Sequence, residues 1–212
     1  MRRASLIPLG LIFLLAGCNG VPLSTVWKLR GFKPTEQNVG QMRFAMRGPD
    51  WMRPTPETSR VELTHWRDDT PNDKHEFAVH LRRGEHKQDE ADIKRAGGGE
   101  APFTIYDAQP RDLEGARALI KEAREQEAKG EPKHRGNASL KGVVACHVGE
   151  IPSGDFSFSM YVHPSDELGW LPLYPDYQVR RASMSEKDEK AFHELVAPCE
   201  KHANRAEALR TD

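Results

Sequence analysis

The segment from Phe156 to Val162 sets the tightest limit on what this chain can fold into. Phe156, Phe158, Met160 and Val162 alternate with Ser157, Ser159 and Tyr161. Successive side chains on a strand point to opposite faces, so this pattern predicts a strand with one apolar face. The same alternation recurs at Met42, Phe44 and Met46 against Arg43 and Arg47, ended by Gly48-Pro49. Val61 and Leu63 alternate with Glu62 and Thr64, and Phe77, Val79 and Leu81 oppose Glu76, His80 and Arg82. The polar stretch 68–73, with Pro71-Asn72, joins these two strands as a hairpin.

Phe103 to Tyr106 predicts a further short strand. Leu140 to Val148 predicts a buried one, with Gly142, Val144, Cys146 and Val148 on one face. Gly149 to Gly154 would connect that strand to Phe156–Val162 as a hairpin. Trp170 to Val179 is extended, but Pro172 and Pro175 restrict it to a sheet edge or a loop.

Helical spacing shows in two places. Pro110 suits a first helical turn, and Leu113, Ala116, Ile120 and Ala123 follow at helical intervals until Gly130. Ser185 with Asp188 forms a capping pair before Phe192, Leu195 and Val196, and Pro198 limits that helix. Gly84 to Glu100 is polar and contains Gly97-Gly98-Gly99; it reads as an exposed, mobile loop. Gly130 to Asn137 reads as a second polar loop. Hairpins outnumber long crossovers, so the expected class is α+β. The expectation is a mostly antiparallel sheet of about six strands with two helices, one after the fourth strand and one at the C-terminus.

The N-terminus has a different character. Arg2 and Arg3 precede an apolar run from Leu6 to Leu15, and small residues close it. That is the layout of a secretory signal. The run is about ten residues, half of the roughly 20 that a spanning helix needs. Leu15-Ala16-Gly17-Cys18 resembles the lipobox of bacterial lipoproteins. The resemblance covers about 20 residues and implies that a diacylglyceryl group joins the Cys18 sulfur and that Cys18 becomes the first mature residue. Asn19 lacks the aspartate that favours inner-membrane retention in some bacteria, which tilts the expectation toward the outer membrane. On this reading, 1–17 is a cleaved signal peptide and 18–26 a tether. Residues 27–199 form a single globular α+β domain with the loop at about 84–100, and 200–212 is a polar tail.

Lipidation of Cys18 accounts for the odd number of cysteines, three in all. Cys146 and Cys199 remain, and two cysteines in an oxidising compartment predict a disulfide. Loss of Arg2 and Arg3 moves the formal net charge from −1 to −3, because residues 1–17 contain no acid. A chain this close to neutral lacks the basic footprint of a nucleic-acid binder.

No coherent catalytic set stands out. Cys146, His147, Cys199 and His202 are residue types that bind zinc or copper, but Cys146 and His147 are neighbours on a strand and face opposite ways. His75 and His80 are five apart, which also opposes them, and His86 follows in a loop. A Gly-x-Ser-x-Gly elbow is absent, and Gly97-Gly98-Gly99 lacks the Lys-Ser/Thr ending of a phosphate loop. Ser153-Gly154-Asp155 reads as a turn, and Asp68-Asp69 and Asp166-Glu167 as solvated loops. No metal or cofactor is therefore expected. Trp27, Trp51, Trp66 and Trp170 are core residues or the walls of a ligand groove.

The leading expectation is a non-enzymatic, lipid-anchored envelope protein that faces the periplasm and binds or supports another envelope component. The alternatives are a ligand-binding lipoprotein, with a site built from tryptophans and the 84–100 segment, and an envelope hydrolase. A flat, pocketless surface with one exposed apolar patch would favour the first, a largely apolar cavity the second, and a pocket of convergent polar residues of shifted pKa the third. The Cys18→Ala variant should remain uncleaved or become soluble on cell fractionation. Unchanged partition into the membrane fraction would refute the anchor.

Overall fold

Three strands in the middle of the sheet carry buried residues on both faces, and this doubling organises the molecule. They are β1 (Arg43–Arg47), β5 (Thr104–Ala108) and β8 (Phe156–His163). On one face Met46, Tyr106 and Ala108, with Phe44, Phe158 and Met160 beside them, join the larger core. On the other, Ala45, Ile105 and Tyr161 form a second, smaller core with Ile93, Phe103 and Trp170. Alternation along each strand sends neighbouring residues to the two cores.

The structure is a computed structural model. It describes residues 22, 24–25, 28, 39–67, 69–84, 87–99, 102–129, 134–142 and 145–201. The remaining strands are β2 (Met52–Pro54), β3 (Ser59–Arg67), β4 (Thr70–Arg83), β6 (His134–Gly142), β7 (Ala145–His147), β9 (Leu171–Val179) and β10 (Val196–Pro198). The helices are α1 (Lys87–Ile93), α2 (Leu113–Ala128) and α3 (Glu186–Leu195). Seven strands form one sheet in the order β6-β3-β4-β5-β1-β8-β9. Every neighbouring pair in it is antiparallel. The mixed class with a large antiparallel sheet is as expected. Among the described residues no helix is long and apolar enough to cross a membrane.

The predicted hairpin 61–81 is β3–β4, paired from Arg60↔His80 to Arg67↔Thr70. Helix α2 follows a turn at Pro110–Asp112 and buries Ala116 and Ala123. Ser185 caps α3, its Oγ accepting from the Asp188 N–H at 3.2 Å. Strand β9 is the edge strand that its prolines permit.

The counts differ from those expected: ten strands and three α-helices have their bounds among the described residues, and residues 24, 25 and 28 are helical besides. β2, β7 and β10 have three residues each, too few to show a period, and α2 consequently follows the fifth strand. Leu140–Val148 is not one strand. β6 ends at Gly142 after pairing along β3, and it begins at His134 inside the expected loop 130–137. β7 belongs to a separate sheet ordered β10-β7-β2, so it forms no hairpin with β8. Val144 lies outside the described residues, and Val148 is 54% exposed.

The disulfide explains that second sheet. Cys146 and Cys199 are bonded, with their Cα atoms 4.8 Å apart. Cys199 directly follows β10, which runs parallel to β7 with Ala197 opposite Cys146. The bond thus places the C-terminal strand beside Cys146 and closes a loop of 53 residues. The chain-entropy model assigns such a closure roughly 4 kcal/mol.

The segment 84–100, expected to be a loop, contains α1 and a wider helical turn over Lys94–Gly98. Ile93 is fully buried in the smaller core, with Asp89 one turn earlier on the same face. The three glycines end this helical stretch. Gly97 has φ 95°, and a Cβ on Gly98 would lie 2.5 Å from Ile93 Cγ2. A helix whose inner face holds one apolar residue and one acid has no amphipathic signature. Truncating the anchor with Ile93→Ala should cost about 2–5 kcal/mol in urea unfolding; a loss under 0.5 kcal/mol would show that α1 is held by other contacts.

Candidate functional site

The smaller core supports one wall of a cleft of 1090 Å³. Its sides are α1 with the following turn, and the segment 163–170, which begins at the last residue of β8. Phe103, Ile105 and Trp170 supply apolar surface, and Arg43, Asp89 and His163 the inner polar groups. Each polar group is placed by backbone alternation or helical spacing. Arg43 starts β1 opposite His163, the last residue of β8, so the two meet across the ladder. Asp89 reaches them because Ile93, four residues on, is locked below.

Arg43 is the hub. Its Nη2 donates to His163 Nε2 at 3.1 Å, its Nε lies 3.3 Å from Asp89 Oδ2, and its guanidinium stands 5.9 Å from the Trp170 ring centroid. His163 packs edge-on against Trp170, with centroids 5.3 Å apart. Its Nδ1 lies 3.3 Å from the Gln41 carbonyl, which only accepts. Arg43 only donates. Both contacts are therefore satisfied by neutral imidazole with the proton on Nδ1. Burial and the neighbouring Arg43 charge lower the His163 pKa below 6.5, against opposing contributions from Gln41, Asp166 and Asp89. Asp166 stands 3.7 Å from His163 Nε2 and accepts from Gln41 Nε2 at 2.8 Å.

Three buried polar atoms of this wall make no hydrogen bond among the described residues: Arg43 Nε, Asp89 Oδ2 and Trp170 Nε1. The first two face each other and balance charge without hydrogen-bond alignment. Trp170 is 6% exposed, and its N–H has no acceptor among the described residues. An unsatisfied buried donor costs about 1–3 kcal/mol. Unsatisfied buried groups are few in native proteins, and three of them border this one cleft.

A second cleft, of 540 Å³, contains Arg47, Trp51, Phe158 and Asp176. Its polar groups satisfy one another. Arg47 donates to the Gly98 carbonyl at 2.9 Å, to Ser159 Oγ at 3.2 Å and to Asp176 Oδ1 at 2.7 Å. Ser159 Oγ donates to Asp176 Oδ1 and accepts from the Asp176 N–H, both at 3.0 Å. These bonds hold Asp176 at φ 45°, where β9 bulges. The knot ties the end of the α1 segment to the sheet and is structural.

The residues singled out from sequence fall in several places. Cys18, Trp27, His86 and His202 lie outside the described residues. Cys146 is in the disulfide, and His147 Nδ1 contacts the Gly149 carbonyl at 2.6 Å. His75 is 4.0 Å from Glu122, and His80 is 2.9 Å from Asp112. Among the described residues no group of three or more His, Cys, Asp or Glu is placed to hold a metal ion. Asp155 accepts from the Arg181 N–H at 3.0 Å. Trp66 stands beside Lys74 on the β3–β4 hairpin, and Trp51 packs on Phe156. Of the named tryptophans, Trp170 lines the larger cleft, together with Gln88, Asp89, Glu90, Asp92 and Arg95 of the segment expected to be a loop. Asp166, read as solvated, reaches into the same site. Arg43 and His163 carried no sequence signal beyond polar residues at strand ends.

Because the folded-state pKa of His163 is lowered, the unfolded chain binds more protons than the folded one below pH 6.5. The contribution is present above that pH and lost as pH falls through the lowered value. Urea unfolding should therefore weaken from pH 7.5 to 5, and His163→Gln should flatten the slope; an unchanged slope would refute the assignment. No family model, curated protein or solved structure matches this chain.

Proposed function

We propose that this chain is a lipid-anchored bacterial envelope protein that binds a small polar ligand in the cleft between α1 and the segment 163–170. Two features support the location. Leu15-Ala16-Gly17-Cys18 resembles a lipobox, and the Cys146–Cys199 disulfide suits an oxidising compartment. The single observation that carries the binding role is the 1090 Å³ cleft itself, on which Arg43 and His163 from the sheet, Glu90 from α1 and Asp166 from the opposite side converge.

This reading moves ligand binding ahead of the interaction module expected first. Val148 is the one large hydrophobic side chain left exposed among the described residues, so they offer no broad apolar docking patch. Binding also fits better than hydrolysis. Both ring nitrogens of His163 are engaged, Asp89 faces Arg43, and the described lining residues include no Ser, Thr or Cys nucleophile. The groups are arranged to hold, not to transfer a proton.

The Asp166→Asn variant tests the reading, because it keeps the shape of a cleft residue whose side chain is 68% exposed and removes only its charge. Its melting temperature should equal that of the unsubstituted protein. In saturation-transfer NMR with a panel of sugars, amino acids and polyamines, the variant should change the affinity for whatever the parent binds by about threefold, the scale of an exposed ion pair. Absence of binding by the parent across the panel, or an affinity unchanged in the variant, would refute the reading.

A further inference from the structure

Thr25 limits how far the N-terminus reaches from the domain. It lies near the end of the segment 18–26, yet it is 1% exposed, and its hydroxyl donates to the Pro172 carbonyl at 2.7 Å, 147 positions away. Its N–H donates to the Pro22 carbonyl at 2.9 Å, and Ser24, Thr25 and Lys28 are helical. Pro172 is the second residue of β9, whose first residue, Leu171, pairs with Val162 near the end of β8. The chain is therefore fastened at one corner of the domain, where the segment 163–170 joins these two strand ends.

The fastening leaves little slack between the domain and a lipid on Cys18. Four residue steps separate Cys18 from Pro22. Fully extended, they span at most about 14 Å, at roughly 3.3–3.6 Å per residue. The headgroup layer takes roughly 5–8 Å of that, half the difference between a core of about 30 Å and a whole bilayer of about 40–45 Å. Less than about 10 Å is left, below the diameter of one helix. A folded chain of about 175 residues has a radius of gyration near 16 Å, so this tether does not let the domain turn the corner away. The corner's exposed charges are mixed, with Lys28 against Asp166 and Glu167, and Pro172 and Leu173 are half-buried. Neither lipid charge nor apolar insertion therefore sets the orientation; the length of the tether does.

We propose that the corner formed by Thr25, Pro172 and the segment 163–170 rests on the phospholipid headgroups of the bilayer that anchors Cys18, held there by the short tether. This inference rests on the lipid anchor proposed above and is independent of what the cleft binds. It adds an orientation, because the 163–170 side of the larger cleft is then membrane-proximal.

Quenching of a fluorophore at position 167 tests it on the full lipidated chain. Glu167 is exposed, five positions before Pro172. Cys146 and Cys199 are bonded, and Cys18 carries lipid on this reading, so in Glu167→Cys a maleimide dye reacts at that position alone. The vesicles are phosphatidylethanolamine and phosphatidylglycerol, doped with phosphatidylcholine that carries a headgroup nitroxide. The dye should lose most of its fluorescence. Ten Gly/Ser residues inserted after Gly20 add up to about 35 Å of reach and should cut the quenching several-fold with no change in melting temperature. Thr25→Asp, which sets a carboxylate against the Pro172 carbonyl, should act the same way. Absence of quenching in protein that floats with the vesicles would overturn the docking and keep the anchor. So would quenching unaltered by both the insertion and Thr25→Asp, since the tether would then not hold the corner. Protection from aqueous iodide without nitroxide quenching would mean that a second copy covers the corner, and would likewise overturn the proposal. Protein that does not float with the vesicles would overturn the anchor and the docking together.

Discussion

Burial of Ile93 in the smaller core is the contact on which the candidate site depends. It seats α1 against Ala45, Ile105 and Tyr161 on the far side of the sheet from the main core. Helical spacing then delivers Asp89 to Arg43. Gly98 closes on Ile93 with no room for a side chain, and its carbonyl receives Arg47. One apolar side chain therefore positions the helix, the acid and the end of the segment together. Without it the second face of the sheet would be open and the cleft would lack one side.

Two hydrogen-bonded clusters flank that core, and they differ in how fully their polar groups are satisfied. Around Arg47, donors and acceptors match, and the strained backbone of Asp176 is held by three hydrogen bonds to two partners, Arg47 and Ser159. Burial and the Asp176 charge raise the pKa of the Tyr161 phenol beneath, against the Arg47 charge. Around Arg43 the accounts do not close: a buried indole N–H, a guanidinium nitrogen and a carboxylate oxygen lack hydrogen bonds among the described residues. Of these two clusters, only the one around Arg43 leaves hydrogen bonds unmade among the described residues.

The sheet was legible in part, and the reasons are physical. β3, β4 and β8 alternate over enough residues to declare themselves, and Ser185 and Pro110 mark helix starts by local chemistry. β6 pairs with β3 through a polar stretch, His134 to Gly142, whose alternation is weak. β8 was expected to leave Ser159 and Tyr161 outside, yet both are 1% exposed. An alternating strand looks the same whether its second face meets water or a small polar-edged core. The segment 84–100 was misread for a related reason, since its inner face is Asp89 and Ile93, and an acid there signals solvent until Arg43 is known to oppose it.

Local chemistry along the chain is enough to predict an antiparallel α+β domain, the Cys146–Cys199 bond and the expectation of a lipid anchor at Cys18, because alternation, capping, cysteine parity and a signal layout are short-range patterns. Folding alone brings Arg43, Asp89, His163, Asp166 and Trp170 to one cleft. They come from β1, α1, the end of β8 and the segment after it, spanning 128 positions from Arg43 to Trp170. Their meaning lies in mutual distances and in loss of water, which no single segment contains.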